Sequence, residues 1–240
     1  MIVLLYKRNL MLFGLFCCFF IGMAAVLWNG NAVPVFSARE DVPVTVVIDP
    51  GHGGEDGGAV SPSGIAESRL NLEVSLKVHD LLCFAGQRTV LTRSEDVTIC
   101  DEGLDTMRQR KTSDLKNRVR LVRETENSIL LSIHQNSLPS SPITHGAQVF
   151  WNQIEGADVL AESIQDALNS GINAGNEKHP RQIPNSIYLM KSINSPGILV
   201  ECGFLSNAVE TERLQDPAYQ LRLAVAISAG YLNAEAVEYS

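Results

Sequence analysis

The chain predicts a single three-layer α/β domain, with a twisted, mostly parallel central sheet of about six strands, helices on both faces and an N-terminal transmembrane or signal segment ahead of it. Three observations predict it. From Val44 onward β-rich runs alternate with stretches of helical period, the central runs are continuously apolar, and a separate uncharged apolar stretch stands at the N-terminus. Alternating strands and helices favour parallel pairing through crossover helices, and a continuously apolar strand is one buried on both faces. With 240 residues, 45% of them hydrophobic, the chain can bury one substantial core.

The first element is the apolar one. Lys7 and Arg8 precede an uncharged run from Leu10 to Trp28. As a helix at roughly 1.5 Å per residue it spans roughly 28 Å, close to the hydrocarbon thickness of a bilayer. Residues 1–28 therefore read as a signal-anchor segment. Gly30-Asn31-Ala32 makes a passable but not persuasive cleavage site, which favours an uncleaved anchor over a secreted form. The basic pair places the N-terminus in the cytoplasm and everything after Trp28 outside it. Residues 29–43, with Gly30, two prolines and mixed charge, read as a linker, and 44–240 as the catalytic domain.

Within that domain Val44–Ile48, Thr89–Thr92, Ile129–Ile133, Ala147–Trp151, Ile187–Met190 and Ile198–Val200 read as strands. Helical spacing marks Glu67–Phe84 through Leu70, Val74, Val78 and Leu81, and Asp114–Thr125 through Leu115, Val119 and Val122. Ala157–Asn169 and Pro217–Leu232 complete the helices. Glu95–Ser113 and Asn173–Ser186, polar and rich in turn formers, stay unassigned; loops of that length are commonly functional. Cys83 and Cys202 read as small buried hydrophobes, and the five cysteines form no metal-site or disulfide pattern.

With 19 basic against 27 acidic side chains, a net charge of -8, the chain is a poor match for a phosphate backbone, so nucleic acid is not an expected partner. The chemistry gathers at strand ends, where ligands collect in such sheets. The first strand runs into Asp49-Pro50-Gly51-His52-Gly53-Gly54, the third into His134-Gln135-Asn136, and the last into Glu201-Cys202-Gly203. Glu67 opens the first helix of the domain. Two imidazoles and a carboxylate suit Zn²⁺, and a catalytic zinc keeps about three protein ligands and one open position. His52, Glu67 and His134 fill that count around one ion, leaving Glu201 to carry protons as general acid and base. Each residue alone has a plainer reading: a core histidine, a helix-start carboxylate favoured by the dipole, a salt-bridge partner. The glycine run lacks the Gly-Lys-Ser/Thr ending of a phosphate loop. His79 and His179 read as solvated residues, and His145 as a loop residue that could also border the cleft.

Through Val47-Ile48-Asp49-Pro50-Gly51-His52-Gly53-Gly54, Glu67-Ser68-Arg69-Leu70-Asn71-Leu72, Leu91-Thr92-Arg93, Ser132-Ile133-His134-Gln135-Asn136 and Val200-Glu201-Cys202-Gly203-Phe204-Leu205-Ser206-Asn207 the chain resembles the zinc-dependent N-acetylmuramoyl-L-alanine amidases of bacterial cell walls, the type 3 amidases. The resemblance covers nearly all of Val44 to Leu232. It implies zinc on His52, Glu67 and His134, catalysis by Glu201, and peptidoglycan as substrate, cut at the amide between the lactyl group of N-acetylmuramic acid and L-alanine. Gln135 and Cys202 depart mildly from the family's usual residues; on a strand, Cys202 should point away from Glu201's side.

Within the family, through a single N-terminal anchor and the Arg93-Ser94-Glu95-Asp96 and Ile187-Tyr188-Leu189-Met190 segments, the chain most resembles the germination-specific branch of endospore formers. That similarity implies action on spore cortex, where stem-peptide removal lets a partner deacetylase form muramic-δ-lactam, in the space between the forespore membranes. It also leaves room for an accessory protein that stabilises the zinc site. The alternatives are a vegetative amidase of wall turnover or cell separation, a zinc peptidase, and a membrane-tethered peptidoglycan-binding protein without activity.

Overall fold

β1 (Thr45–Pro50) is buried at every position, as a strand covered by helices on both faces must be. The computed structural model describes residues 43–184 and 186–238. With β1, the strands β2 (Arg88–Leu91), β3 (Ser128–Asn136), β4 (Gln148–Trp151), β5 (Arg181–Gln182) and β6 (Gly197–Phe204) form a six-stranded sheet in the order β2-β1-β3-β6-β4-β5. β2, β1, β3 and β6 are mutually parallel; β4 runs antiparallel to β6, and β5 parallel to β4.

The helices are α1 (Glu67–Phe84), α2 (Met107–Glu124), α3 (Ala157–Gly171), α4 (Tyr188–Ser192), α5 (Ala208–Leu214) and α6 (Pro217–Glu238). Side chains alternate across the sheet, so each strand feeds two cores. Val46, Ile48, Leu131 and Val200 pack against Leu70 and Val74 of α1, Ile164 of α3 and Ile227 of α6. Val47, Leu130 and Leu199 face the other way, onto Val119 and Val122 of α2 and Leu189 and Met190 of α4. Fully burying a side chain of this kind stabilises the fold by about 1.5–3 kcal/mol. The three layers predicted from alternation are present.

Several local expectations need correction. Ile187–Met190 is not a strand: Leu189 and Met190 are buried in the first turn of α4 while Ile187 and Tyr188 remain 39% and 38% exposed. Four apolar residues in a row do not by themselves separate a strand from a short helix. Its expected place in the sheet is taken by β5, an exposed pair within the unassigned stretch. α2 begins at Met107, not Asp114, because Thr106 and Gln109 close a capping box: Thr106 Oγ1 accepts from Gln109 N at 3.3 Å, and Thr106 N donates to Gln109 Oε1 at 3.0 Å. That first stretch is polar, so apolar spacing could not reveal it. α5, also unforeseen, is capped by Asn207, whose Oδ1 accepts from Val209 N and Glu210 N.

Cys202 is buried as expected, but Cys83 is exposed at the end of α1, and His79, read as solvated, is half-buried and hydrogen-bonded to Thr89 Oγ1 at 2.6 Å. The anchor at 1–28 and the linker up to residue 42 lie outside the described residues. Among the described residues no helix is long and apolar enough to cross a membrane.

Candidate active site

β1, β3 and β6 are neighbours, and their carboxyl ends deliver His52, His134 and Glu201 into one cleft of about 410 Å³. His134 and Glu201 are register partners on the side that faces α2 and α4. Cys202, one residue on, points into the opposite core, as strand alternation requires.

His52 follows the end of β1 in a left-handed conformation, φ 62°, uncommon for a residue with a side chain. Two buried arginines hold the turn. Arg118 of α2 donates to the carbonyls of Pro50 at 2.8 Å and His52 at 2.7 Å, while its own charge is met by Asp49 at 2.5 Å and Asp114 at 2.6 Å. Arg93, after β2, donates to the carbonyls of Pro50 at 3.0 Å, Gly51 at 3.1 Å and Ser68 at 2.8 Å. Gly51 itself has to be glycine: a Cβ there would stand 2.2 Å from Cε1 and Nε2 of His134.

Glu67 reaches the cleft because the loop before α1 folds back on it. Ser68 N donates to Gly57 O at 3.0 Å and Ala59 N to Glu67 Oε2 at 2.8 Å. Glu67 Oε1 meets His134 Nδ1 at 2.8 Å, Gln135 N at 3.1 Å and Asn71 Nδ2 at 3.2 Å. His52 Nε2 lies 3.4 Å from Oε2. One donor atom from each of His52, Glu67 and His134 falls within 4.8 Å of the others, a group able to hold a metal ion.

Burial alone would raise the Glu67 carboxyl. The hydrogen bond and charge of His134, the charge of His52 and the Ala59 N–H outweigh it and hold the group at about 2. His134 is pushed down by burial, but Glu67, Glu201 and Asp49 together raise it. Glu201 differs: burial lifts it to about 7, with Glu67 adding to the shift and His134 opposing it. Part of the residue reaches the cleft, yet its Oε2 is sealed and has no hydrogen-bond partner among the described residues.

All four residues singled out in the sequence thus converge. Their supports were not foreseen: Arg118, Asp114 and Asn71. Only Asn71 left a readable trace, four residues after Glu67 on one helix face. His145 is exposed in the loop before β4, outside the cleft lining.

A mostly parallel sheet with two histidines and two carboxylates converging at the carboxyl ends of its strands defines an α/β protein with a candidate metal-binding active site. The chain belongs to the N-acetylmuramoyl-L-alanine amidase family, whose profile matches residues 46–233. It is 36% identical over 187 residues to the germination-specific N-acetylmuramoyl-L-alanine amidase of Bacillus subtilis (strain 168), covering 78% of either chain. N-acetylmuramoyl-L-alanine amidase LytC of the same organism is 30% identical over 190 residues, 78% of this chain but 34% of that longer protein. Among solved structures, the CwlD amidase from Clostridioides difficile in complex with the GerS lipoprotein superposes with a TM-score of 0.76 at 33% identity, over 80% of this chain and 98% of that one.

Proposed function

We propose that the protein is a zinc-dependent amidase that cuts the amide between N-acetylmuramic acid and L-alanine in peptidoglycan, with His52, Glu67 and His134 holding one Zn²⁺ and Glu201 carrying the protons. The observation that supports this most strongly is the pairing of a two-histidine, one-carboxylate cluster with a neighbouring buried carboxylate oxygen that no donor among the described residues reaches. The donor set fits the ion. Two imidazoles turn a nitrogen towards one ionised carboxylate, the ligand chemistry of catalytic zinc sites.

A bound Zn²⁺ supplies Lewis acidity, polarising a scissile carbonyl and bringing the pKa of water from 15.7 to about 7. The rest falls to the chain. Glu201 accepts the proton from the attacking water and returns it to the amide nitrogen, so that the C–N bond breaks and L-alanine leaves as a neutral amine. A buried carboxylate beside the cluster, with an oxygen that no described protein donor engages, is placed to accept a proton and hand it on. Asn71, Arg93 and Arg118 hold Glu67 and the His52 turn in place, and the apolar wall of Leu115, Ile187 and Leu189 shapes the cleft for substrate.

Likeness to a germination-specific amidase supports a role in spore cortex, where stem-peptide removal precedes muramic-δ-lactam formation. Likeness to an amidase solved with a lipoprotein supports an accessory partner for this chain. Action on the wall is extracytoplasmic, which agrees with 1–28 as an anchor, 29–43 as a linker and 44–240 as the catalytic domain. Activity lost to a chelator and restored by Zn²⁺ tests the metal; digestion of purified muropeptides tests the bond.

A further inference from the structure

The loop between β1 and α1 carries a carboxylate that the reaction above does not use. Asp56 Oδ2 meets His52 Nδ1 at 2.9 Å and Lys111 Nζ at 3.0 Å. The turn does not depend on that oxygen. Its backbone closes between Gly53 and Asp56, N to O at 2.9 Å and 3.1 Å, and the other side-chain oxygen takes the nearby Gly58 N–H at 3.4 Å. Oδ2 is therefore committed to the imidazole and the lysine.

An imidazole that donates Nδ1–H to a carboxylate is fixed in one tautomer, with its lone pair on Nε2. In His52 that nitrogen is the one 3.4 Å from Glu67. Outer carboxylates of this kind orient metal-binding histidines and raise their basicity. The cations lining the cleft are Lys111 and Arg118. Arg118 is spent on Asp49, Asp114 and two backbone carbonyls, its side chain 2% exposed, whereas the Lys111 side chain is 48% exposed.

We infer that Asp56 is a positioning residue that presents His52 Nε2 to the metal, and that Lys111 keeps the Asp56 carboxylate in place from across the cleft. The inference rests on His52, Glu67 and His134 as the zinc site.

The test uses the full chain, stripped of metal, with zinc affinity measured by competition against a chromophoric chelator and site geometry by the visible absorption of the Co²⁺-loaded protein. Asp56→Ala is expected to bind zinc about 10- to 100-fold more weakly and to shift the cobalt bands. Lys111→Met is expected to weaken zinc by a smaller factor while leaving the melting temperature of the metal-free protein unchanged. A merely structural aspartate would move the melting temperature and leave the affinity and cobalt bands alone. Zinc affinity and cobalt bands in Asp56→Ala indistinguishable from wild type overturn the role of Asp56. If that variant does not fold, Asp56→Asn decides in its place, weakened zinc binding supporting the inference and wild-type affinity overturning it. Wild-type affinity in Lys111→Met overturns the part given to the lysine. A wild-type chain that binds neither ion overturns the zinc reading as well; wild-type binding with unaffected variants overturns this inference alone.

Discussion

His134 and Glu201 stand opposite each other as register partners across the β3–β6 pairing, the histidine turned to Glu67 at 2.8 Å and the glutamate left with a sealed oxygen that no donor among the described residues reaches. One strand pair thus sets a residue of the His52–Glu67–His134 cluster beside a buried carboxylate.

Separate roles for the two residues give separate failures. Glu201→Gln is expected to keep zinc and lose about 10²- to 10⁴-fold in turnover, the usual worth of a positioned acid–base group. His134→Ala is expected to lose the metal and the turnover together. Metal analysis of both variants beside their rates checks this; equal zinc loss in the two contradicts it.

Gly51→Ala probes the close packing of the first strand end on His134. The added methyl would stand 2.2 Å from the ring, so the imidazole has to move. Zinc content is expected to fall sharply while the protein stays folded, since the core beneath is untouched. Circular dichroism with metal analysis checks both halves.

The Asp49–Arg118 pair should show in acid. Burial tends to raise the Asp49 carboxyl, but the Arg118 charge and the hydroxyls of Ser132 and Thr92 win and lower it below its ordinary 3.8. A carboxyl depressed in the native state gives stability that is fully present above the unfolded pKa and is lost as pH falls through the native one. Arg118→Met leaves Asp49 buried without its partner, and a loss of about 3–5 kcal/mol is expected at pH 7. Without Arg118, burial lifts the variant's Asp49 carboxyl, so urea unfolding is expected to give a gap between variant and wild type that is widest at neutral pH and narrows as pH falls, from the variant's raised carboxyl down to the depressed wild-type one.

Glu201 gives the opposite sign. Its native carboxyl is raised from 4.5 to about 7, so folding the metal-free protein opposes ionisation. Below 4.5 wild type and Glu201→Gln are expected to differ least; as pH rises towards 7 wild type should lose stability relative to the variant, and above it the gap should stay level. A thermal-melt series on metal-free protein checks it, and a constant gap across that range would count against the buried carboxyl.

How much of this was readable beforehand follows from what a sequence can express. Continuous apolar strands and helical spacing revealed the sheet and the helices that pack on it, and the polar residues at three strand ends revealed His52, His134 and Glu201. Contacts across the fold left no such mark. Arg118 meets Asp49 across 69 residues and Arg110 meets Glu55 across 55, and no periodicity relates either pair. The first turn of α2 is held by Thr106 and Gln109 and not by an apolar face, so it read as loop; Tyr188–Ser192 and Arg181–Gln182 are too short for period to act on.

The central claim is the bond. Purified muropeptides digested with the full chain and Zn²⁺, then resolved by mass spectrometry, are expected to yield intact stem peptides beginning with L-alanine and glycans with unsubstituted lactyl groups. Shortened peptides still attached to N-acetylmuramic acid would make the protein a peptidase and contradict the account.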